Sequence, residues 1–542
     1  MQEKNEFLIR SFTSFLDEIS GTLAQNVLSE NKISNDKIDE NQLIFYNLSL
    51  LTAGLKTAEH YFEYAYSTSA RKLDQSMSDF LTADICSHFR SEISARLDEY
   101  SVSENLIQNL FSEKISQAIQ ELSRHELYIS ISNEILSGSF GDTGTDELQD
   151  LQNTYRRIAE EIVRPHAERV HRNDEFIPEE IITTLSENGA FGLSIPDDYN
   201  GYLDTFGTKG MLIATEELSR GSLSIAGSLI TRPEITARAI IAGGTSEQKK
   251  TWLPQIAEGE RMCAVAVTEP DYGSDVAGMK FSAKKLEGGW LLNGVKTWCT
   301  FAGYADSLLV LARTDTDLSL KHKGLSLFIA EKPRFDTHKF EFQNPSGGSL
   351  QGSAIATIGY RGMHSYELTF ENFFVPDGNL IGGENGLGKG FYLQMSGFSG
   401  GRIQTAARAL GVMQASLEEA VRYSQERKVF GKPISEYTLT SWKIARMAAL
   451  IQAIRQYTYH AGDLHDRKEG AMESTLIKFY ASRISEWVTR EAMQIHGGMG
   501  YAEEYPVSRY FLDARVFSIF EGAEEVMALR VCAKEILQRA LK

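Results

Sequence analysis

The hydrophobic pattern changes near residue 261, and that change constrains the fold more than any other feature of the sequence. From about 261 to 380 the chain carries short β-rich segments divided by Gly, Asp and Pro turns. Several of these segments alternate apolar and polar residues, which is typical of half-buried strands. We therefore predict a β-domain over this range. Its predicted strand segments are Met262–Val267, Trp290–Thr300, Ser307–Ala312, Leu325–Ile329, Ile355–Ile358 and Tyr366–Val375.

Helical patterns lie on both sides of this β-domain. Before it, apolar residues recur every three or four positions, as in Leu43–Tyr66 and Asn105–Leu122, and the pattern resumes at Asp146. After it, long helical stripes with no strand signal predict a four-helix bundle. The turn-rich segment Ser137–Thr145 is the predicted linker. The predicted domains are residues 1–140, 146–260, 261–382 and 383–542.

The composition excludes several classes of protein. The 542 residues include 55 Lys and Arg but 73 Asp and Glu, so the formal net charge is −18, which disfavours nucleic acid and anionic membranes as partners. No apolar run approaches the roughly 18 residues of a membrane span, and the first apolar stretch is too short for a signal peptide. The four cysteines form no CxxC pair, and no metal site is predicted. We expect a soluble, cytoplasmic enzyme.

Two glycine-containing segments are candidates for ligand binding. The cluster Gly386–Gly390 fails the GxGxxG pattern of dinucleotide sites because Phe391 occupies the third glycine position, so a loop that starts the bundle is favoured. The segment Thr268–Asp275 has two interpretations. It is either a turn rich in Asp, Gly and Pro, or a loop whose backbone N–H groups and Thr268 and Ser274 hydroxyls bind a polar ligand.

Two further positions carry chemistry. Trp298 and Thr300 are two residues apart on a predicted strand, so their side chains share one face. An aromatic plane beside a hydroxyl suits a flat conjugated ring, although a Trp in a strand is usually part of the core. Glu521 lies between Ile519-Phe520 and Gly522. It is either a helix-capping acid or a carboxylate in an apolar pocket, where its pKa would be raised and it could act as a general base.

Five segments together resemble the acyl-CoA dehydrogenase family, in the family's order and across roughly residues 147 to 542. The resemblance implies a mainly α fold with a central β-domain: an α-domain, a β-barrel-like domain and a C-terminal four-helix bundle. Here an extra N-terminal helical domain precedes them. The resemblance also implies that FAD is shared across the subunit boundary of a homodimer or homotetramer. The matching segments are Ala266–Asp275, Asn293–Thr300, Arg427–Pro433, Gln494–Tyr501 and Ile519–Gly522.

The resemblance also assigns roles to residues. Glu521 matches the catalytic base of the family. A minority of the family carries its base just before the arginine that matches Arg402; that position is Gly401 here, so the resemblance implies that the base is Glu521 if there is one. Two departures, Thr438 for Gln and Ala523 for Thr, are expected to adjust cofactor contacts without loss of cofactor. The positions that match contacts to FAD are Val267, Thr268, Ser274, Trp298, Thr300, Arg427, Phe430, Gln494 and Gly498. Those expected at the substrate are Ser274, Arg232, Arg361, Arg402 and Gly522.

The implied reaction is α,β-dehydrogenation of an acyl-CoA, with an electron-transferring flavoprotein as electron acceptor. The extra domain and the segments Ile358–Leu368 and Gly401–Ala409 are similar to one branch of the family, whose acyl group carries a free carboxylate. Arg232 is the first candidate to bind that carboxylate and Arg361 the second, unless either is simply ion-paired at the surface. The alternatives are a short- or branched-chain dehydrogenase of other specificity, an acyl-CoA oxidase, or a DNA-binding or scaffold member. The acidic charge and Glu521 argue against the last.

Overall fold

The structure, a computed structural model, describes residues 1–67, 70–141, 143 and 146–542. Three residues of the predicted linker Ser137–Thr145, at positions 142, 144 and 145, lie outside the described ones. The chain divides into two compact units, Met1–Glu147 with Thr405–Lys542, and Leu148–Gln404. The four domain boundaries of the sequence analysis stay a prediction. The mainly helical fold with a central sheet and an N-terminal helical region is confirmed.

The N-terminal part of the first unit is helical apart from a small hairpin, Leu28–Ser29 with Lys32–Ile33, which the sequence analysis did not predict. The helical pattern of Asn105–Leu122 is divided between two helices. Phe111 and Ser112 lie between the two helices, and the Ser112 side chain makes no capping hydrogen bond. The helices are Gln2–Asn26, Asn35–Glu40, Gln42–Ala65, Lys72–Ala95, Glu104–Leu110, Glu113–Leu122 and His125–Leu136.

The C-terminal part of the same unit contains long helices, as predicted. The last of them is interrupted by a π-helical segment, so the fourth helix of the predicted bundle is less regular than its sequence pattern indicates. The first helix begins in the other unit and continues through Thr405. The helices are Gly390–Glu426, Thr438–Asp466, Ala471–His496, Pro506–Ala514 and Glu524–Ala540, the last with π turns over Met527–Ala533.

The N-terminal helices pack directly on the C-terminal ones within this unit. Ser49 Oγ donates a hydrogen bond to the Ala528 carbonyl at 2.9 Å. Arg446 Nε pairs with Asp84 at 2.9 Å, and Arg530 pairs with Asp39 at 2.7 Å. The extension is therefore an integral layer of the unit, joined to it by buried and surface contacts.

The second unit combines an α-helical part with the sheet. Helix Ser246–Ala257 shows how its sequence sets an element boundary, because Thr245 and Gln248 form a reciprocal capping box. Two short π-helical segments, Ala159–Val163 and Leu223–Gly227, also belong to this part. The helices are Gln149–Ile158, Arg164–Asn173, Glu179–Glu187, Leu203–Gly221, Thr231–Gly243 and Ser246–Ala257.

One eight-stranded mixed sheet forms the β part of this unit. Its first strand pairs in parallel with Ser307–Arg313, to which Leu325–Glu331 adds on antiparallel. The two long strands Gly289–Thr300 and Ser365–Pro376 pair antiparallel at its centre. Seven strands follow one another across the sheet, and Leu325–Glu331 lies off this path. The order of the seven is Cys263–Ala266, Ser307–Arg313, Ser282–Leu286, Gly289–Thr300, Ser365–Pro376, Ser349–Ile355 and Lys339–Gln343.

The strand predictions fail for three strands of the sheet. The strand predicted at Ile355–Ile358 is wrong, since Ile355 ends a strand that begins at Ser349. Strands Ser282–Leu286 and Lys339–Gln343 were missed because they are largely exposed and carry lysines or glutamates at many positions. Among the described residues, no helix is both long and apolar enough to cross a membrane.

A buried ion pair joins the first strand of the sheet to the long central one. Lys296 is fully buried, and its Nζ donates to the Val267 carbonyl at 2.9 Å and to Glu269 Oε1 at 3.2 Å. Glu269 also accepts the backbone N–H groups of Lys280 and Phe281. Burial lowers the pKa of Lys296 to about 8, and the Glu269 carboxylate opposes that shift.

We predict that Lys296→Met destabilises the protein by about 3–5 kcal/mol, because it leaves the Glu269 carboxylate buried without its cation. The free energy of unfolding in urea measures the loss. The control is Lys285→Met, which breaks the exposed pair with Asp377 and should cost no more than about 1 kcal/mol. Adding Glu269→Gln to Lys296→Met should recover part of the loss. An equal effect of the two lysine substitutions would contradict the prediction.

We predict that His60 makes stability depend on pH. Its imidazole stacks on the Tyr457 ring, with 4.6 Å between the ring centroids, and its centroid lies 4.2 Å from that of the His460 ring. Burial first, then His460 and Lys56, lower the pKa of His60 to about 3; nearby Glu63 is 65% exposed, so solvent screens its attraction. As pH falls from about 6.5 towards 3, the unfolded chain gains a proton that the folded chain does not.

This proton uptake should reduce stability by up to about 1.4 kcal/mol per pH unit in that window. Urea unfolding at pH 7.5 and pH 5 tests it with His60→Phe, which keeps an aromatic ring without a titrating group. The variant should lose less stability between the two pH values than the wild type. Replacing the exposed His88 by Ala should leave the slope unchanged. Parallel slopes for wild type and His60→Phe would refute the assignment.

Candidate functional site

The loop after the first strand of the sheet carries the first group of candidate residues. Val267 is buried, and the Thr268 carbonyl accepts the backbone N–H of Thr297 at 2.9 Å. Glu269 forms an isolated β-bridge with Tyr272, which closes the turn, and Ser274 beyond it is exposed. The Lys296–Glu269 pair therefore fixes the base of this loop and leaves its far end open to solvent.

The end of the long central strand carries the second group. Trp298 adopts a left-handed backbone conformation with φ +56° and is 57% exposed, an unusual combination for a bulky residue. Cys299 is buried and Thr300 is half-buried, with the Thr300 and Ser365 hydroxyls hydrogen-bonded at 2.9 Å. The strand thus presents an accessible indole face and a hydroxyl fixed in position by its neighbour.

In the other unit, Glu521 lies in a tight turn between the segment Arg515–Ser518 and the helix that begins at Glu524. Its φ is +54°, and Gly522 follows with φ +102°. A Cβ on Gly522 would come within 2.6 Å of Met527 Cε, so this turn requires glycine there. The buried Lys478 donates a hydrogen bond to the Gly522 carbonyl at 2.7 Å, which stabilises the turn.

Arg408 determines the surroundings of the Glu521 carboxylate. The guanidinium is completely buried and donates to Glu521 Oε1 at 2.7 Å, and the Glu521 side chain is only 6% exposed. Thr405 donates to Oε2 at 3.2 Å, and the same Arg408 nitrogen donates to the Thr405 hydroxyl at 2.7 Å. The Arg408 guanidinium also covers the Phe520 ring at 4.6 Å. The apolar pocket expected for Glu521 is therefore wrong, because a cation and a hydroxyl hold its carboxylate.

The sequence analysis missed Arg408 and Thr405. A single helix brings them one turn apart, while Glu521 comes from a turn more than a hundred residues later. The signal was present as an arginine within the apolar segment Ala406–Leu410 of a helix whose stripe is buried. An arginine in such a stripe requires an acidic partner, since an uncompensated buried charge is costly.

A third group of candidate residues lies on the exposed surface of the first unit. Phe430 is 95% exposed with φ +49°, and Arg427 and Gln494 are also exposed. Gly498 has no atom within 4 Å of where a Cβ would be, so its backbone is open to a ligand. Bare aromatic rings, an arginine and open glycine backbone fit a dinucleotide, which offers flat rings and a pyrophosphate.

The candidate arginines for substrate binding differ in their surroundings. Arg232 is buried on helix Thr231–Gly243, two residues from the buried Glu234. Arg361 is bound elsewhere: its Nε donates to the Thr357 carbonyl at 3.0 Å, and Nη1 donates to the His171 carbonyl at 2.9 Å. Arg402 is half-buried on helix Gly390–Glu426. The Arg361 guanidinium is therefore already bound by two backbone carbonyls.

Comparison with known domain families matches most of the chain. Residues 145–260 match the N-terminal domain of acyl-CoA dehydrogenases, residues 264–373 the middle domain, and residues 388–537 the C-terminal domain. The (2S)-methylsuccinyl-CoA dehydrogenase of Cereibacter sphaeroides is 42% identical over 402 residues, which cover 74% of this chain and 71% of that protein.

Two solved structures extend the similarity to the fold. Butyryl-CoA dehydrogenase from Megasphaera elsdenii matches with a TM-score of 0.66 and 32% identity over 72% of this chain and 98% of that one. A glutaryl-CoA dehydrogenase from Mycobacterium smegmatis in complex with FADH2 matches with a TM-score of 0.63 and 26% identity over 72% and 95%. The chain therefore belongs to the acyl-CoA dehydrogenase family of FAD-dependent oxidoreductases that act on CH–CH bonds.

Proposed function

We propose that this enzyme oxidises (2S)-methylsuccinyl-CoA to mesaconyl-CoA, with Glu521 as the base. The buried Glu521 carboxylate, held by Arg408 and Thr405, is the observation that carries this proposal. The 42% identity to a methylsuccinyl-CoA dehydrogenase supports the choice of substrate. The acidic net charge of −18 favours a small-molecule enzyme over a DNA-binding member of the fold.

The proton step requires a carboxylate that is ionised and fixed in one direction. Arg408 stabilises the ionised form of Glu521 by direct contact, and the left-handed turn with Gly522 leaves the carboxylate few orientations. A carboxylate stabilised in this way is a weak base towards the α-proton of a thioester. The site must therefore stabilise the developing enolate oxygen, and we assign one donor to the backbone N–H of Glu521.

The residues that would hold FAD belong to two groups. Val267, Thr268, Ser274, Trp298 and Thr300 are proposed to bind the flavin ring. When bound, FAD supplies the acceptor for the hydride that leaves Cβ. The hydrogen bond to Ser365 orients the Thr300 hydroxyl, and the exposed Trp298 indole offers a flat face to a ring.

We assign Arg427, Phe430, Gln494 and Gly498 to the adenine and pyrophosphate of the FAD of a neighbouring copy. The nearly complete exposure of Phe430 supports this, because its ring is accessible for stacking on a flat ring of a ligand. The active form would then be a homodimer or homotetramer. Its electrons would pass to an electron-transferring flavoprotein, as the family resemblance implies.

The substrate carboxylate requires a cation close to the reacting carbons, because in methylsuccinyl-CoA it is attached to Cβ. Arg232 is the proposed partner, since it is buried on the helix that resembles the acyl-pocket element of the family. Arg361 is the second candidate, and two backbone carbonyls accept from its guanidinium. A charge-assisted hydrogen bond of this kind contributes about 1.5–3 kcal/mol.

We predict that Glu521→Gln lowers kcat by at least about 100-fold, because the glutamine amide cannot accept the α-proton. FAD content and acyl-CoA binding should persist, since glutamine keeps the size and an acceptor for Arg408. Steady-state rates with an artificial electron acceptor measure kcat. The flavin absorbance measures the FAD content. Glu525→Gln, an exposed change four residues away, is the matched control and should keep kcat within about twofold. More than about a tenth of the activity left in Glu521→Gln would exclude it as the base.

We predict that methylsuccinyl-CoA exceeds butyryl-CoA in kcat/KM by at least about 100-fold in the wild type. Arg232→Met should narrow that ratio, because it removes the partner of the substrate carboxylate. Arg422→Met, at an exposed arginine paired with Glu419, should not. The measurement compares both thioesters on the three proteins. Equal rates on the two thioesters in the wild type would refute the substrate while leaving the dehydrogenase assignment intact.

A further inference from the structure

Three metal-ligating side chains, none of them assigned above to FAD or substrate, meet in the second unit beside Arg361. Asp174 directly follows helix Arg164–Asn173, His338 precedes strand Lys339–Gln343, and His364 precedes strand Ser365–Pro376. One ligand atom from each lies within 4.8 Å of the other two. No local spacing motif links three residues so far apart in sequence, which is why the sequence predicts no metal site.

The distances in this cluster suit a first-row divalent cation. His364 Nε2 lies 3.3 Å from Asp174 Oδ1, and His338 Nε2 lies 3.5 Å from Asp174 Oδ2. Two ligands at about 2.0–2.1 Å from Zn²⁺ in tetrahedral geometry are about 3.4 Å apart. Both histidine–aspartate distances are therefore close to the separation that a shared ion requires, and the three ligand atoms lie within 4.8 Å of one another.

The tautomer of His364 gives a second, independent indication. Its Nδ1 lies 3.1 Å from the Gly362 carbonyl, which only accepts, so Nδ1 carries a hydrogen. The lone pair of the neutral ring is then on Nε2, which is buried and has no hydrogen-bond partner among the described residues. It faces the Asp174 carboxylate, which is also an acceptor. Histidines that bind metal ions commonly donate their other nitrogen to a backbone carbonyl in this way.

An aromatic ring, an arginine and solvent surround the three ligating side chains. The Phe176 ring lies 4.4 Å from the His364 ring and 5.0 Å from the His338 ring, forming an apolar wall. The Arg361 guanidinium lies 3.9 Å from Asp174 Oδ1, but its Nε and Nη1 donate to backbone carbonyls. His338 is 51% exposed, which leaves one side of the cluster open to water.

We propose that Asp174, His338 and His364 bind one Zn²⁺ per chain, with water as the fourth ligand. The two imidazoles and one carboxylate are ligand types that Zn²⁺ takes, and together they leave a net charge of +1 on the site. The ion fastens the end of helix Arg164–Asn173 to two loops of the sheet. The His364 carbonyl accepts the Phe301 N–H at 2.8 Å, so the ion also steadies the strand end that carries Thr300.

The test uses untagged, flavin-loaded protein freed of metal with a chelator and then dialysed against micromolar Zn²⁺. Elemental analysis should find about one zinc per chain in the wild type. His338→Ala, at a half-exposed side chain, should weaken zinc binding more than about tenfold. Asp174→Asn should do the same, since Asn tolerates the left-handed conformation of Asp174.

The matched control is His125→Ala, at an exposed histidine of the N-terminal helices, which should bind zinc as the wild type does. Zinc should raise the thermal midpoint of the wild type and the control but not of His338→Ala. Less than about one fifth of an equivalent of zinc in the wild type would overturn the proposal, leaving an ordinary histidine–aspartate ion pair. Equal zinc binding by wild type, His338→Ala and Asp174→Asn would also overturn it, because the ion would then lie elsewhere. Neither readout depends on the substrate or on turnover.

Discussion

The ion pair between Arg408 and Glu521 fixes the position of the carboxylate that we propose as the base. An uncompensated buried guanidinium is costly, and a turn with two successive residues of positive φ, Glu521 and Gly522, supplies the carboxylate that compensates Arg408. Lys478 fixes that turn through the Gly522 carbonyl, and Thr405 orients the second carboxylate oxygen. The same contacts that stabilise the fold therefore place one ionised carboxylate in a defined direction, which is what a general base needs.

The N-terminal extension is part of this arrangement. The family domains match from residue 145 onward, yet helices before that point contact the last helices of the chain. Tyr46 donates to Glu524, three residues after the proposed base, and Ser49 bonds to the Ala528 carbonyl. Removing the extension would expose these groups and the Asp84–Arg446 pair. The extension thus supports the segment that follows the turn of Glu521.

The sequence predicts the architecture well where burial follows one regular period. Long apolar stripes such as Leu43–Tyr66 became helices, and the buried strand Ser307–Arg313 was found nearly to the residue. Largely exposed strands such as Ser282–Leu286 were missed because their polar residues carry no burial pattern. Within the site, a local motif identifies Glu521, whereas its partner Arg408 and the Asp174 cluster depend on contacts across more than a hundred residues, which no local pattern encodes.

The central claim, that this enzyme oxidises methylsuccinyl-CoA, is tested most directly by single-turnover spectroscopy. The purified flavoprotein is mixed without oxygen and without an electron acceptor with an excess of methylsuccinyl-CoA or butyryl-CoA, and the flavin absorbance and the thioester products are followed. Our account predicts rapid bleaching by methylsuccinyl-CoA, with about one mesaconyl-CoA formed per flavin, and much slower bleaching by butyryl-CoA. Bleaching by butyryl-CoA alone, or by neither thioester, would contradict it.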